Sequence, residues 1–98
     1  MPPMRPEITH QAAAQRFEAH LDGHLAQCCY RREGDVLVLH HTEVPPAFEG
    51  QGVAGALVSA ALAWARAEGL RVRPSCSYVA SYMRRHAETQ DLLESASR

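Results

Sequence analysis

The centre of the sequence reads Glu49-Gly50-Gln51-Gly52-Val53-Ala54-Gly55. Pro45 and Pro46 stand before it and end the preceding strand, because proline has no N–H to donate to a β-ladder. After it, apolar residues recur at helical spacing, namely Ala54, Leu57, Val58, Ala61, Leu62 and Ala65. The sequence therefore predicts a glycine-rich turn that joins a strand to a helix.

A turn of this kind can hold a pyrophosphate. Its glycines let a ligand approach the backbone closely. The amides of the first helical turn have no partner within the helix, and together with the helix dipole they favour phosphate oxygens. The alternative is a plain turn whose glycines serve only the close packing of helix against strand.

Two other phosphate-binding motifs do not fit the turn. Gly50–Gly55 satisfies the bare pattern of a dinucleotide-binding loop. However, the preceding strands are predicted to be antiparallel, the chain is too short for a doubly wound sheet, and the acidic residue about 20 positions on, Glu68, lies at a helix end. A P-loop is excluded because no Gly-Lys-Ser/Thr follows.

The residues upstream of the turn predict a meander of three antiparallel strands, over residues 16–21, 24–32 and 36–44. Asp22-Gly23 is a strong two-residue hairpin turn. Glu33-Gly34-Asp35 predicts the second connection. Three strands should thus precede the first helix.

Downstream, Gly69 is placed to end the helix. Residues 70–74 predict a fourth strand, which a right-handed crossover should place parallel to the third. Residues 78–85 and 89–93 predict short C-terminal helices. The predicted fold class is therefore α+β, with helices layered on a mixed sheet.

Bulk properties narrow the function classes. The chain has 98 residues, a formal net charge of −1 and a pI of about 6.6, so it lacks the basic footprint of a nucleic-acid-binding protein. The apolar stretch over residues 53–65 ends at Arg66, short of the roughly 20 residues that a membrane span needs. We expect neither nucleic acid nor a membrane as a partner.

The N-terminal residues Met1–Pro6 lack the hydrophobic core of a signal peptide, so we expect a cytoplasmic protein. Their prolines favour an extended chain, and we expect residues 1–10 to form a flexible lead-in to a single domain over residues 11–98. The odd number of cysteines, with Cys28 and Cys29 adjacent, indicates free thiols. We expect no metal site, and a monomer is the default because no long apolar stripe is left unassigned.

The stretch Glu49–Ala54 resembles the acetyl-CoA pyrophosphate loop of the GCN5-related N-acetyltransferases. That loop reads Gln or Arg, two residues, Gly, one residue, then Gly or Ala; Gly52 and Ala54 match, and Glu49 departs from the first position. Further motifs resemble a subgroup of very small members, namely His41-Thr42-Glu43-Val44-Pro45, Ala67-Glu68-Gly69-Leu70, and Cys76-Ser77-Tyr78-Val79 followed by Tyr82 and His86. The resemblance covers about residues 16–93, and His86-Ala87-Glu88-Thr89 replaces the expected His-Pro-Glu-Tyr.

The resemblance implies a minimal form of that family's fold and acetyl-CoA as the acyl donor. Backbone amides around Gln51, Gly52, Val53, Ala54 and Gly55 would hold the pyrophosphate. The pantetheine arm would follow the splayed end of the third strand, which brings the thioester near Glu43, Val44 and Cys76. Since the chain lacks the walls of longer relatives, the acceptor site should be open.

Acetyl transfer to an amine requires a base for the amine and a proton for the leaving thiolate. His41 and Glu43 lie two apart on one strand and so share a face, where either can act as the base, directly or through water. The alternatives are a structural histidine and a solvated carboxylate. Cys76 precedes a helix N-terminus, a setting that lowers a thiol pKa, and it can accept the acetyl group or merely line the pocket.

Residues of the C-terminal helix complete the candidate site. Tyr78 and Tyr82 are one turn apart, and the Tyr82 phenol can protonate the departing sulfur or simply pack. Arg85, in a basic cluster with Arg84 and His86, can meet the cofactor's 3'-phosphate or balance the helix C-terminus.

Three functions follow from the sequence. The leading one is an N-acetyltransferase acting on a primary amine, small or at the end of a protein tail. The second is a non-catalytic acyl-CoA or coenzyme A binding module. The third is a small scaffold that binds no cofactor.

Overall fold

A five-stranded sheet with two helices forms the architecture of the computed structural model, which describes residues 7–48 and 50–96. The strands are β1 (Ile8–Gln11), β2 (Arg16–Leu21), β3 (His24–Glu33), β4 (Val36–Glu43) and β5 (Arg71–Pro74). The helices are α1 (Val53–Glu68) and α2 (Ser77–Arg85), with short 3-10 turns at Ala12–Ala14, Pro46–Phe48, Ala87–Leu92 and Glu94–Ala96. Glu49 lies outside the described residues, so its place in the loop pattern stays a prediction.

The strands lie in the order β1-β2-β3-β4-β5. The first three pairings are antiparallel, and β5 pairs parallel to β4 after the crossover through α1. This confirms the α+β fold class and the parallel last strand. The predicted meander is also confirmed, with one further strand, β1, at its edge.

The turns follow from residues that tolerate a left-handed backbone. Asp22 and Gly23 have φ of 49° and 79°, which makes the tight β2–β3 hairpin, and Leu21 pairs with His24 across it. Gly69, with φ of 71°, ends α1, where its N–H donates to Arg66 O and the N–H of Leu70 donates to Ala65 O. The predicted Asp22-Gly23 hairpin turn and the predicted end of the helix at Gly69 are both confirmed.

One side of α1 packs on the sheet. Its buried residues are Val53, Leu57, Val58, Ala61, Leu62 and Ala65, which include five of the six residues that the sequence pattern predicts. They meet Phe17 of β2, Cys28 of β3 and Leu39 of β4 in one hydrophobic cluster. That cluster defines the core face of the sheet.

Strand β1 begins within the predicted lead-in over residues 1–10. Residues 1–6 lie outside the described residues, and Ile8–Gln11 pairs with β2 as an edge strand that the sequence analysis did not predict. The reason is a tertiary contact of the His10 ring. It stacks on Phe17 at 4.1 Å, meets Trp64 edge-on at 4.6 Å, and its Nε2 lies 2.7 Å from the Tyr30 hydroxyl.

The stability of the fold should depend on the protonation of His10. Burial lowers the pKa of His10 below its ordinary value. The unfolded chain therefore takes up a proton at higher pH than the folded chain, and the free energy of unfolding falls as the pH drops from about 7 to about 5. Urea denaturation across this range measures the fall.

His10→Phe is the control for that measurement. It keeps an aromatic ring on Phe17 and removes the titrating group, so its free energy of unfolding should change less between pH 7 and pH 5 than that of the wild type. The carboxylates with a lowered pKa, such as Glu18, lose their contribution only below about pH 4.5 and do not confuse the comparison. Equal slopes for wild type and variant would contradict the assignment to His10.

Candidate functional site

The glycine-rich turn presents an open helix end. Gly50 and Gly52 adopt φ of 79° and 67°, a left-handed backbone that favours glycine. The first helical hydrogen bond runs from Ala56 N–H to Gly52 O at 3.0 Å, so the amides of Val53, Ala54 and Gly55 precede it. Among the described residues, no side chain caps α1 and no acid lies in its first turn.

The backbone amide of Gln51, in contrast, already has a hydrogen-bond partner within the turn. Its N–H donates to Phe48 O at 3.2 Å, and its side-chain Nε2 donates to Ala47 O at 3.4 Å. The amides suited to an anionic ligand are therefore those from Gly52 onward. Gln51 is one of the residues predicted to hold the pyrophosphate, but its N–H and its side chain already donate hydrogen bonds within the turn.

A groove of about 340 Å³ adjoins the turn. Its lining comprises Ile8, Gln51, Gly52, Val53, Gly55, Ala56 and Ser59. The sequence predicted four of these residues as cofactor-binding. It missed Ile8, because that residue belongs to the unpredicted β1, and it missed Ala56 and Ser59, which carry no motif.

Strands β4 and β5 part before β4 ends. Their pairing ends at Leu39 and Pro74, while β4 continues to Glu43 with β3 as its partner. The Cys76 N–H donates to Leu39 O at 3.0 Å, which holds the start of α2 beside β4 after the strands part. Val44, beyond the end of β4, is half-buried against the core.

A β-bulge decides which β4 side chains face this opening. Tyr30 pairs with Leu39, but Cys29 pairs with His41, so His40 has no partner on β3. Residues opposite each other on neighbouring strands share a face. Thr42, opposite the buried Cys28, therefore lies on the core face.

His41 and Glu43 lie together on the other face. His41 Nε2 is 3.5 Å from Glu43 Oε1, and Gln27 Nε2 donates to the same oxygen at 3.0 Å. The hydrogen bonds from Gln27 and then His41 hold the pKa of Glu43 below its usual range, so it is ionised at neutral pH. The two predicted bases meet each other, and Thr42, which the sequence analysis did not single out, meets Cys76.

Cys76 precedes α2 and has the electrostatics of a reactive thiol. Its Sγ is 3.5 Å from Thr42 Oγ1. Burial would raise its pKa, but hydrogen bonds from the Thr42 hydroxyl and from the amides of Val79 and Tyr78 outweigh burial, so the pKa lies below its ordinary value. Burial raises the pKa of the neighbouring Cys28 to about 11.

Tyr78 and Tyr82 face α1. A methyl group added at Gly55 would lie 3.7 Å from the Tyr78 hydroxyl and 3.7 Å from Tyr82 Cε2, which is ordinary van der Waals contact, so both rings lie next to the amide end of α1. The His86 ring stacks on Tyr82 at 3.9 Å, and its Nδ1 lies 2.7 Å from Tyr82 O. Arg85 lies exposed in the last turn of α2.

Metal binding and membrane insertion are two further functions on which the described residues bear. Within residues 7–48 and 50–96, no group of three or more His, Cys, Asp or Glu side chains could hold a metal ion. No helix in that part of the chain is long and apolar enough to cross a membrane. All three cysteines are free thiols, as predicted.

Comparison with known proteins adds findings of three kinds, from a family model, from curated relatives and from a solved structure. The family model described as GCN5-related N-acetyl-transferase matches residues 16–92. Protein NATD1 of Gallus gallus is 33% identical over 89 residues, which cover 88% of this chain and 81% of that protein. Protein NATD1 of Homo sapiens is 34% identical over 88 residues, which cover 87% of this chain and 78% of that protein.

The third finding is structural. The solution structure of a GCN5-like protein from Staphylococcus aureus superimposes with a TM-score of 0.74 at 27% sequence identity. The superposition covers 91% of this chain and 88% of that one. The similarity thus extends over most of both chains.

The three thiols should differ in reactivity. At neutral pH we expect iodoacetamide to alkylate Cys76 fastest and Cys29 more slowly, because burial raises the Cys29 pKa. Cys28, buried and with a pKa of about 11, should react only on unfolding. Mass spectrometry of the digested protein measures the three rates. Equal labelling in denaturant is the control, and native labelling of Cys28 at the rate of Cys76 would contradict the geometry.

Proposed function

The chain belongs to the GCN5-related N-acetyltransferases, and we propose that it transfers an acetyl group from acetyl-CoA to a primary amine. The amine is either a small molecule or the end of a protein tail. The observation that supports this proposal best is the open amide end of α1, beside a groove of about 340 Å³ and next to the parting of β4 and β5. Phosphate and thioester each have a suitable place there.

The pyrophosphate binds at the first turn of α1. The amides of Gly52, Val53, Ala54 and Gly55 donate to its oxygens, and the helix dipole adds a partial positive charge. Arg85, at the end of α2, is our proposed partner for the 3'-phosphate. Gly52 and Arg85 are exposed, and Ala54 and Gly55 are half-buried.

The pantetheine arm passes into the opening between β4 and β5. Beyond Leu39, the edge of β4 that faces away from β3 has no partner strand in the described part of the chain. An amide-rich arm can bond to such an edge as a strand would. This route carries the thioester past Val44 toward Thr42 and Cys76.

The amine must lose a proton before or during attack. Glu43 is ionised and lies 3.5 Å from His41, so this pair can take the proton directly or through water. The Tyr82 phenol is our proposed proton source for the departing coenzyme A thiolate. Because the His41 and Glu43 side chains are 54% and 59% exposed, the acceptor approaches from open solvent.

Cys76 offers a two-step route. Its thiolate attacks the thioester carbonyl, a new carbon–sulfur bond forms to Sγ, and coenzyme A leaves as a thiolate that takes a proton. The amine then attacks the acetyl-Cys76 carbonyl, and Cys76 leaves as a thiolate while the amine proton passes to the base. Direct transfer uses the same base and leaves Cys76 unmodified.

A non-catalytic acyl-CoA binding module is the second candidate. The same exposure of His41 and Glu43 favours it, because an acceptor that is not enclosed is poorly oriented for attack. Both candidates require affinity for coenzyme A. Only the first yields an acetylated amine.

Cofactor binding is tested by calorimetric titration with acetyl-CoA. We expect the wild type to bind and Gly52→Trp to lose binding, since the new side chain obstructs the amide end. Gly34→Trp is the matched control, because Gly34 has a nearly identical φ, 65° against 67°, and open space around it in the β3–β4 turn. It carries the same backbone strain and should bind normally. No wild-type binding at millimolar ligand would overturn the proposed function.

The route of transfer is tested with Cys76→Ser and with the base pair. If the acetyl group passes through Cys76, acetyl-CoA without an amine should leave a single acetyl group on that residue, and Cys76→Ser should abolish transfer. If transfer is direct, Cys76→Ser keeps most activity. We expect Glu43→Gln to lower kcat by about 10² to 10⁴ in either case. An unchanged kcat would remove Glu43 from the mechanism.

A further inference from the structure

One hydroxyl lies between two thiols at the opening of β4 and β5. Thr42 Oγ1 is 3.5 Å from Cys76 Sγ and 3.9 Å from Cys28 Sγ. The three residues come from β4, from the start of α2 and from β3, so only the folded chain assembles them. All three are at least partly buried.

The β-bulge is what brings Thr42 to this place. Without the bulge, the strict alternation that starts from Leu37 and Leu39 would continue through residue 40. The side chain of His41 would then lie on the core face, and that of Thr42 would point away from it. The bulge reverses this order. The Cys76 N–H bond to Leu39 O then fixes the second thiol at the same level of β4.

The cluster can satisfy its hydrogen bonds with Cys76 either protonated or ionised. A hydroxyl has one hydrogen to donate and two lone pairs. When Cys76 is a thiol, its S–H donates to Thr42, and the Thr42 O–H donates to Cys28. When Cys76 loses its proton to a base in solution, the order reverses, so that Cys28 S–H donates to Thr42 and Thr42 O–H donates to the thiolate.

Cys28 suits the end of this chain because it stays protonated. Its side chain is fully buried, and its pKa of about 11 keeps it a neutral donor at physiological pH. Chains of hydrogen bonds that all point toward one charge strengthen one another. The buried thiol thus supports the hydroxyl that faces Cys76.

We propose that Thr42 is a positioning residue for Cys76, whose hydroxyl orients the sulfur at the β4–β5 opening and donates to it when it is ionised. The proposal rests on the proposed function in one respect only, namely that the Cys76 thiolate reacts with the thioester of acetyl-CoA. The amides of Tyr78 and Val79 also favour the thiolate. Thr42 differs from them because a single side-chain change removes it.

The test is the pH profile of Cys76 alkylation. A Cys29→Ser background removes the other partly exposed thiol, and the rate of iodoacetamide labelling of Cys76 is followed by mass spectrometry between about pH 6 and pH 9. We expect Thr42→Val to move the profile to higher pH and to slow labelling at neutral pH roughly three- to tenfold, because a hydrogen bond to a charge is lost. Thr42→Ser should retain the background profile.

Two further variants make the result specific. Thr9→Val applies the same substitution on the exposed edge strand β1 and should leave the profile unchanged. Thr42→Ala removes the hydroxyl without adding a second methyl group, so it repeats the test if Thr42→Val fails to fold by circular dichroism. Profiles of Thr42→Val or Thr42→Ala that match the background would overturn the proposal.

Failure of the proposed function remains distinguishable from failure of this inference. If the proposed function fails, the wild type shows no acetyl-CoA binding in calorimetry. If the role of Thr42 fails, the alkylation profiles of the Thr42 variants match the background, and these profiles need no cofactor. If both hold, acetyl-CoA should acetylate Cys76 more slowly in Thr42→Val than in the wild type.

Discussion

The candidate site depends on where the parallel pairing of β4 with β5 ends. Pairing stops at Leu39 and Pro74, yet β4 runs on to Glu43 with β3 alone. The hydrogen bond from Cys76 N–H to Leu39 O holds the chain that follows β5 beside β4. The result is an opening with an unpaired strand edge on one side and a helix start on the other. Backbone hydrogen-bonding groups at such an opening call for a ligand or water as a partner.

Two helix starts converge on this opening from the same face of the sheet. The amides of Val53, Ala54 and Gly55 precede the first helical hydrogen bond of α1, and the amides of Tyr78 and Val79 at the start of α2 favour the Cys76 thiolate. Tyr78 and Tyr82 of α2 lie next to Gly55 in the first turn of α1. In the function that we propose, phosphate binding and thiol chemistry therefore use two helix starts that lie side by side.

The opposite face of the sheet has another character. Arg16, Glu18, Gln27 and Glu43 follow each other across β2, β3 and β4, and Glu18 is buried beneath its bonds to Arg16 and His20. This polar face ends at His41 and Glu43, beside the opening. In the mechanism that we propose, an amine that arrives from solvent meets carboxylates first, while the acyl donor binds from the apolar side. The thickness of one strand separates the two.

Local sequence determined much of the fold. Alternating apolar residues, the Asp22-Gly23 turn and the helical spacing up to Gly69 fixed three strands, the main helix and the glycine-rich turn, because each signal acts within a few residues. The tertiary structure alone decided the rest. Strand β1 forms because the His10 ring contacts Phe17 of the next strand together with Tyr30 and Trp64, and the last two are distant in sequence. The bulge at His40 places Thr42, and not His41, next to Cys76. The alternation of side chains along a strand can be predicted from local sequence, but a bulge depends on the pairing with the neighbouring strand.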